Sequence, residues 1–137
     1  MTDPSPQQGL LDTSLVIDLA EVDPDQLPSE PLICAITLAE LSVGPLVATT
    51  RDVQVARQLL LQQVESDFDP LPFDATAARA FGSVAASLRS SGRKPAARAY
   101  DALIAAVAMS QGLPLYTSNA ADFTGIEGLD LRSITRN

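Results

Sequence analysis

Residues 99–123 read AYDALIAAVAMSQGLPLYTSNAADF, and this stretch combines a predicted helix, strand and turn. Residues 102–109 are all apolar, and a helix that is apolar on every side is normally buried. Asp101 stands directly in front of that run, and Gly112 follows it as a typical helix-ending residue. The segment LPLYTS then indicates a buried strand that leads into a tight turn, NAADF. A carboxylate at the head of a buried helix therefore needs an explanation from the rest of the chain.

The rest of the chain repeats this alternation of helices and strands. Besides the helix headed by Asp101, helices are predicted near residues 14–20, from Thr37 onward, over 51–67 and over 74–92. Strands are predicted at residues 9–12, 31–36, 68–73, 113–118 and 128–134. This alternation predicts an α/β fold, a three-layer α/β/α sandwich with a mainly parallel sheet of about five strands. We expect residues 9–137 to form a single domain behind a disordered polar tail at residues 1–8.

The composition excludes several classes of catalytic site. The chain has 137 residues with no histidine and a single cysteine, so Ser-His-Asp catalysis and zinc or iron–sulfur centres are excluded. Cys34 lies in an apolar run, which favours a buried structural thiol over a reactive one. The apolar runs are too short to span a bilayer, and the N-terminus does not resemble a signal peptide. We therefore expect a cytoplasmic protein with no membrane partner.

The net charge of −8 argues against a nucleic-acid partner, but the distribution of the basic residues points the other way. Four of the nine basic residues fall within ten positions, just before Asp101: Arg89, Arg93, Lys94 and Arg98. They favour a contact with a phosphate backbone. The alternative is a solvated helix end, where cations are stabilised by the helix dipole.

Acids and one amide recur close to the ends of the predicted strands. Because the carboxyl ends of parallel strands meet at one edge of a sheet, they can converge there. Clustered carboxylates repel each other, and a hard divalent cation such as Mg²⁺ relieves that repulsion. Each residue also has an ordinary structural interpretation: a helix N-cap, a Thr37–Glu40 capping box, a favourable dipole contact or a turn. The candidate set is Asp12, Glu40, Asp101, Asn119 and Asp122.

Three segments in this order resemble the PIN domain, and within it the VapC-type ribonuclease toxins of bacterial toxin–antitoxin pairs. They are LLDTSLVIDL with Asp12, ITLAELSVG with Glu40, and residues 99–123 with Asp101. The resemblance runs from Leu10 to about Ile134. It implies an endoribonuclease dependent on Mg²⁺ or Mn²⁺, a cognate VapB-type antitoxin that blocks the site, and a homodimer.

The resemblance also implies roles for individual residues. Asp12, Glu40 and Asp101 would hold the metal ion, and either Asn119 or Asp122 would complete its shell. The ion would activate a water that attacks phosphorus in line, leaving a 5′-phosphate and a 3′-hydroxyl. Two hydroxyls, Ser14 and Thr117, would orient ligands or water, or serve only as structural caps. The basic cluster (Arg89, Arg93, Lys94, Arg98) would contact RNA.

Two other classes of function are weighed against this one. The first is a catalytically weak or inactive PIN-like module that binds RNA or a protein, which Asn119 supports because a neutral amide weakens a metal position. The second is a phosphotransfer or nucleotide-binding α/β protein. The only lysine, Lys94, lies before the Asp101 helix, and the chain has neither a P-loop nor a G-x-G-x-x-G motif, so this class is disfavoured.

Overall fold

The computed structural model describes residues 7–94 and 98–136. Residues 1–6 of the predicted polar tail, part of the basic connector (residues 95–97) and Asn137 lie outside the described residues. Gln8 already belongs to the first strand. No helix within the described ranges is long and apolar enough to cross a bilayer.

Nine regular elements follow one another along the described residues. Their bounds are β1 Gln8–Leu11, α1 Thr13–Ile17, β2 Glu30–Leu32, α2 Ala35–Val43, α3 Arg51–Asp67, α4 Ala75–Ser90, α5 Ala99–Ser110, β3 Leu115–Thr117 and β4 Leu131–Ser133. Short 3₁₀ turns connect some of them, and the one at Ala120–Phe123 directly follows β3. The predicted helix at 51–67 is confirmed, and so is the one at 74–92, which Asp74 caps through a bond from the amide of Ala77 (2.9 Å).

All four strands are parallel, in the order β2-β1-β3-β4. Successive residues of a strand point to opposite faces. Leu10 and Leu115 therefore pack with α4 and α5 on one face, whereas Leu11 and Tyr116 pack with α1 and α3 on the other. The predicted three-layer α/β/α sandwich is confirmed. The carboxyl ends of the strands lie at one edge of the sheet; Asp12 and Asn119 come directly or shortly after strand ends, whereas Asp101 lies in the first turn of α5.

The sheet has four strands among the described residues, one fewer than predicted, because residues 68–73 make only a single bridge. Leu71 pairs with Cys34, donating to the carbonyl of Ile33 (2.9 Å) and accepting from the amide of Ala35 (2.8 Å). Prolines occupy both neighbouring positions, 70 and 72, and lack the N–H that a longer ladder would need. The pairing therefore stops after one residue.

Two predicted helices differ from the observed ones, the first mainly in where it ends and the second in where it begins. α1 is confined to Thr13–Ile17, shorter than the predicted 14–20, and a 3₁₀ turn at Leu19–Glu21 follows it. α2 begins at Ala35 rather than Thr37, so Thr37 lies inside the helix, fully buried. The predicted Thr37–Glu40 capping box is therefore wrong, because its threonine is not at the N-cap.

Helix α5, which carries Asp101, lies at the centre of the core. Six of its twelve residues are buried, and it packs against the apolar side of α4. It ends where Gly112 adopts a φ of 67°, which lets the amide of Leu113 reach the carbonyl of Ala108 at 2.9 Å. Cys34 is buried in the same core, as predicted.

Candidate active site

Asp12 is the most buried acid of the site and the best held. It follows β1 directly and caps α1, because its Oδ1 accepts from the amide of Leu15 at 2.9 Å. Its Oδ2 accepts from the hydroxyl of Thr117 at the end of β3, at 2.5 Å. The hydroxyl of Ser14 lies 3.2 and 3.1 Å from the two oxygens. Asp12 therefore has the structural role of an N-cap and is also fixed against the neighbouring strand.

This environment raises the pKa of Asp12. Burial is the largest cause, and the charge of Asp122 adds to it, whereas the bonds from Thr117, Leu15 and Ser14 oppose the shift. With only 3% of its surface exposed, Asp12 has little water to stabilise its charge. A cation beside it would do so.

Glu40 reaches the site from α2, and the contact that holds it comes from α1. Its Oε1 accepts a 2.7 Å bond from the hydroxyl of Thr13, which also lies 2.9 Å from the hydroxyl of Thr37. Glu40 is half-buried, and burial is the main cause of its raised pKa, with repulsion from Asp12 adding to it. The charge of Asp12 thus acts on the carboxylate of Glu40.

Asp101 is the third residue of α5 and lies in its first turn. Burial raises its pKa to about 6, and the charges of three other acids, Asp122, Asp12 and Glu40, add to that effect, while Arg98 opposes it. None of the hydrogen bonds between described residues reaches its carboxylate. Acids from four separate segments therefore act on one another at this edge of the sheet.

Asn119 and Asp122 enter the site from different sides. The side-chain amide of Asn119 donates to Ser14 at 3.1 Å, and its backbone amide donates to Thr117 at 2.9 Å, so it belongs with Asp12. Asp122 instead forms a 3.0 Å ion pair with Arg98. Asn119 thus supports Ser14 and Thr117, the hydroxyl groups that donate to Asp12, whereas Asp122 adds negative charge that acts on Asp101.

The donors of this site suit a hard cation. They are carboxylates, hydroxyls and one amide, and the chain has no histidine. Within residues 7–94 and 98–136, no three or more His, Cys, Asp or Glu residues form a group that could hold a metal ion by themselves. Mg²⁺ in proteins is commonly held by one or two carboxylates and keeps several waters. The residues present therefore fit a hydrated Mg²⁺ or Mn²⁺ and do not fit a dehydrated, all-protein site.

The four basic residues are not equivalent. Arg98 contacts the site directly through Asp122, and Arg93 donates to the hydroxyl of Thr124, at the end of the turn that carries Asp122. Arg89 and Lys94 are exposed at the end of α4 and just beyond it. The structure therefore brings Arg98 to the acids and leaves Arg89 and Lys94 on the surface.

Two residues of the site were not identified from the sequence: Thr13 and Thr37. Thr13 follows the first acid directly, and Thr37 precedes Glu40 by three positions, a spacing that places two side chains on one helix face. The signal in the sequence was interpreted as a capping box. Without the helix start at Ala35, nothing in that spacing distinguishes a cap from a buried partner.

This protein is a parallel α/β sandwich with an acidic site at the carboxyl edge of its sheet. The potential ligands in that site are all oxygen atoms. The chain belongs to the PIN domain family, whose model matches residues 10–128. It is 38% identical over 127 residues to ribonuclease VapC5 of Mycobacterium tuberculosis, covering 90% of this chain and 91% of that protein.

Solved structures give the same result. The VapBC-5 toxin–antitoxin structure of M. tuberculosis superposes with a TM-score of 0.82 at 38% identity, covering 95% of this chain and 99% of the other. The DNA-bound VapBC structure of Salmonella typhimurium gives a TM-score of 0.72 at 25% identity, covering 93% and 98%. The predicted PIN fold and the resemblance to VapC proteins are confirmed.

Proposed function

We propose that this protein, a single domain over residues 9–137, is a metal-dependent endoribonuclease and the toxin of a type II toxin–antitoxin pair. The observation that carries the proposal is the placement of four acids, Asp12, Glu40, Asp101 and Asp122, at the carboxyl edge of the sheet, where neighbouring charges help to raise the pKa of the first three. The 38% identity to a protein named ribonuclease VapC5 supports RNA as the substrate class. We propose that it acts in the cytoplasm.

Asp12, Glu40 and Asp101 are the residues that would hold Mg²⁺ or Mn²⁺, with Asp122 or Asn119 contributing. When bound, such an ion offsets charge on the phosphate and lowers the pKa of a coordinated water. The fixed positions of these acids support this role. Asp12 is held by hydrogen bonds from α1 and β3, and the backbone of Asp101 belongs to the most buried helix.

Hydrolysis by this site forms a bond from a water oxygen to phosphorus and breaks the bond to the 3′-oxygen. The products are a 5′-phosphate and a 3′-hydroxyl. Ser14 and Thr117 orient the carboxylate of Asp12 through their hydrogen bonds, and Asn119 in turn orients Ser14. These hydrogen bonds hold the carboxylate of Asp12 in one orientation in the folded protein.

RNA would approach over the end of α4 and the start of α5. Arg98 lies at the acidic edge, Arg93 donates to Thr124 at the end of the adjacent turn, and Arg89 and Lys94 extend the basic surface. Such contacts to phosphates supply affinity without sequence information. Because the whole chain carries −8, we expect weak binding that falls steeply with salt.

We further propose a VapB-type antitoxin and a homodimer as the protein's assemblies. The related VapBC structures are toxin–antitoxin complexes. In this chain, large apolar side chains are exposed on and between α1, α2 and α3, among them Ile17, Val43, Leu46 and Leu59. A cavity beside Glu40 opens in the same region. An amphipathic helix of the antitoxin seated there would cover apolar surface next to the acids.

The test is cleavage of total cellular RNA by protein purified free of any partner, in Mg²⁺, Mn²⁺ or EDTA. Discrete fragments that need the metal and disappear in both Asp12→Asn and Asp101→Asn are expected. The matched control is Asp69→Asn, which removes an exposed acid outside the site and should leave cleavage intact. Folded protein that binds RNA without cutting it in either metal would favour the non-catalytic module. Cleavage that survives both site substitutions would remove the support for these residues.

A further inference from the structure

Thr13 links the two helices that carry the first two acids. It is the first residue of α1 and follows Asp12 directly. Its hydroxyl lies 2.7 Å from Oε1 of Glu40 and 2.9 Å from the hydroxyl of Thr37, both on α2. One side chain therefore ties the segment after β1 to the helix after β2.

The direction of these two bonds follows from the number of protons. An ionised carboxylate only accepts hydrogen bonds, so Thr13 uses its single proton to donate to Glu40. The bond between the two threonines must then be donated by Thr37. Thr37 has no exposed surface, so its hydroxyl has no water as an alternative partner. The result is a directed chain from Thr37 through Thr13 to Glu40.

Glu40 depends on this chain more than Asp12 depends on any one of its partners. Among the described residues, Thr13 provides the hydrogen bond recorded to the carboxylate of Glu40, whereas Asp12 accepts from Leu15, Thr117 and Ser14. A glutamate has a long side chain with much rotamer freedom to lose. Without its donor, the carboxylate of Glu40 would be free to turn.

A cavity that Glu40 itself lines would give a released carboxylate room to turn. The cavity has a volume of about 340 Å³ and is also lined by Thr13, Ile17, Leu41 and Arg57, among others. The guanidinium of Arg57 donates to the carbonyl of Gly44 at 3.0 Å, on the wall of the same cavity. Its positive charge would attract a released glutamate away from the other acids.

We propose that Thr13, supported by Thr37, is a positioning residue that directs the carboxylate of Glu40 into the acidic site and away from Arg57. This inference rests on the proposed metal-dependent function. It assigns a role to a hydroxyl that contacts no other acid of the site and would not itself act on RNA.

The experiment compares Thr13→Val, which keeps the shape and removes the hydroxyl, with Thr13→Ser, which keeps the hydroxyl. Mn²⁺ affinity is measured by electron paramagnetic resonance on protein without RNA. We expect Thr13→Val to lose about 10-fold in affinity, within the range seen when partners of metal ligands are removed. Thr13→Ser should stay within about 3-fold of wild type. Thr49→Val, in the exposed loop before α3, is the matched control and should bind Mn²⁺ as wild type does.

Two further variants separate positioning from a merely structural role. Thr37→Val removes only the rear donor, so it should weaken Mn²⁺ binding less than Thr13→Val, and it serves if Thr13→Val does not fold. Adding Arg57→Met to Thr13→Val should restore part of the affinity, because the competing cation is gone. In RNA cleavage, Thr13→Val should lower kcat with KM for RNA unchanged.

Mn²⁺ binding by Thr13→Val equal to wild type would overturn the proposal, and so would a Thr13→Ser variant as weak as Thr13→Val. Absence of Mn²⁺ binding by the wild type would overturn both the proposal and the metal-dependent function. Failure of the nuclease function alone gives a different result. The wild type then binds Mn²⁺ and cuts no RNA, while the Val and Ser variants still differ in affinity as expected.

Discussion

Replacing Asp101 by asparagine should stabilise the metal-free protein at neutral pH while abolishing its activity. The folded protein raises the pKa of Asp101 from 3.8 to about 6, mainly by burial and then by the charges of Asp122, Asp12 and Glu40. At about 1.4 kcal/mol per unit, the full shift corresponds to roughly 3 kcal/mol. Because the side chain is partly exposed, solvent screening reduces this to about 1–2 kcal/mol.

The sign follows from proton binding. Between about pH 4 and 6 the folded state binds more protons at Asp101 than the unfolded state, so the stability contributed by this residue falls as pH rises. Above about pH 6 the cost of its charge is complete. The gain in Asp101→Asn should therefore be largest at pH 7.5 and roughly half as large at pH 5.

Urea unfolding in EDTA at the two pH values measures the effect. At pH 7.5 a gain of 1–2 kcal/mol moves the midpoint by about 0.5–1 M for a typical m-value. Asp69→Asn, in an exposed loop, should not shift it. Millimolar Mg²⁺ should stabilise wild type more than Asp101→Asn, because a bound cation relieves the repulsion. An Asp101→Asn variant that is less stable than wild type at pH 7.5, or whose gain does not change with pH, would refute this reasoning.

Three further predictions concern the scaffold and the basic edge of the site. Gly9→Ala should destabilise the protein by about 1–3 kcal/mol in the same urea assay, because its Cβ would lie 2.4 Å from the ring of the buried Tyr116. Gly82→Ala, in α4 with open space around it, should instead stabilise the protein by about 0.5–1 kcal/mol. Cys34 is buried, and that burial is the main cause of its raised pKa. Iodoacetamide should therefore modify it only in urea, as measured by mass spectrometry. Rapid labelling of the native protein would contradict the fold. Arg98→Gln should leave the free energy of unfolding within about 1 kcal/mol of wild type, because the ion pair of Arg98 is largely exposed. It should raise the KM for RNA and flatten the salt dependence of RNA binding. An unchanged salt dependence would show that this arginine does not contact the phosphates.

Much of the fold could be predicted because its signals are local. The helix at α5 follows from an unbroken apolar run, and its end follows from Gly112, which adopts the positive φ expected of a helix-terminating glycine. The Asp74 cap is also a property of neighbouring residues. The alternation of such segments predicts parallel strands with helices on both faces, since that is how short apolar strands are buried.

Pairing between distant segments could not be predicted in the same way. Residues 68–73 have the composition of a strand, but whether they extend the sheet depends on a partner some 35 residues earlier, with which only Leu71 pairs. That bridge meets Cys34 at the start of α2, where the chain already turns into a helix. The same early start removes Thr37 from the N-cap and buries it.

The order of the candidate acids along the chain, after a strand or at the start of a helix, follows from the sequence because it depends on neighbouring residues. How these acids meet in space depends on the tertiary structure. The carboxylate of Glu40 is oriented by a threonine 27 positions away, and the pKa of Asp101 is set by burial and by charges on three other segments. Hydrogen-bond direction and electrostatic repulsion depend on distances in space, which the spacing of residues along the chain does not contain.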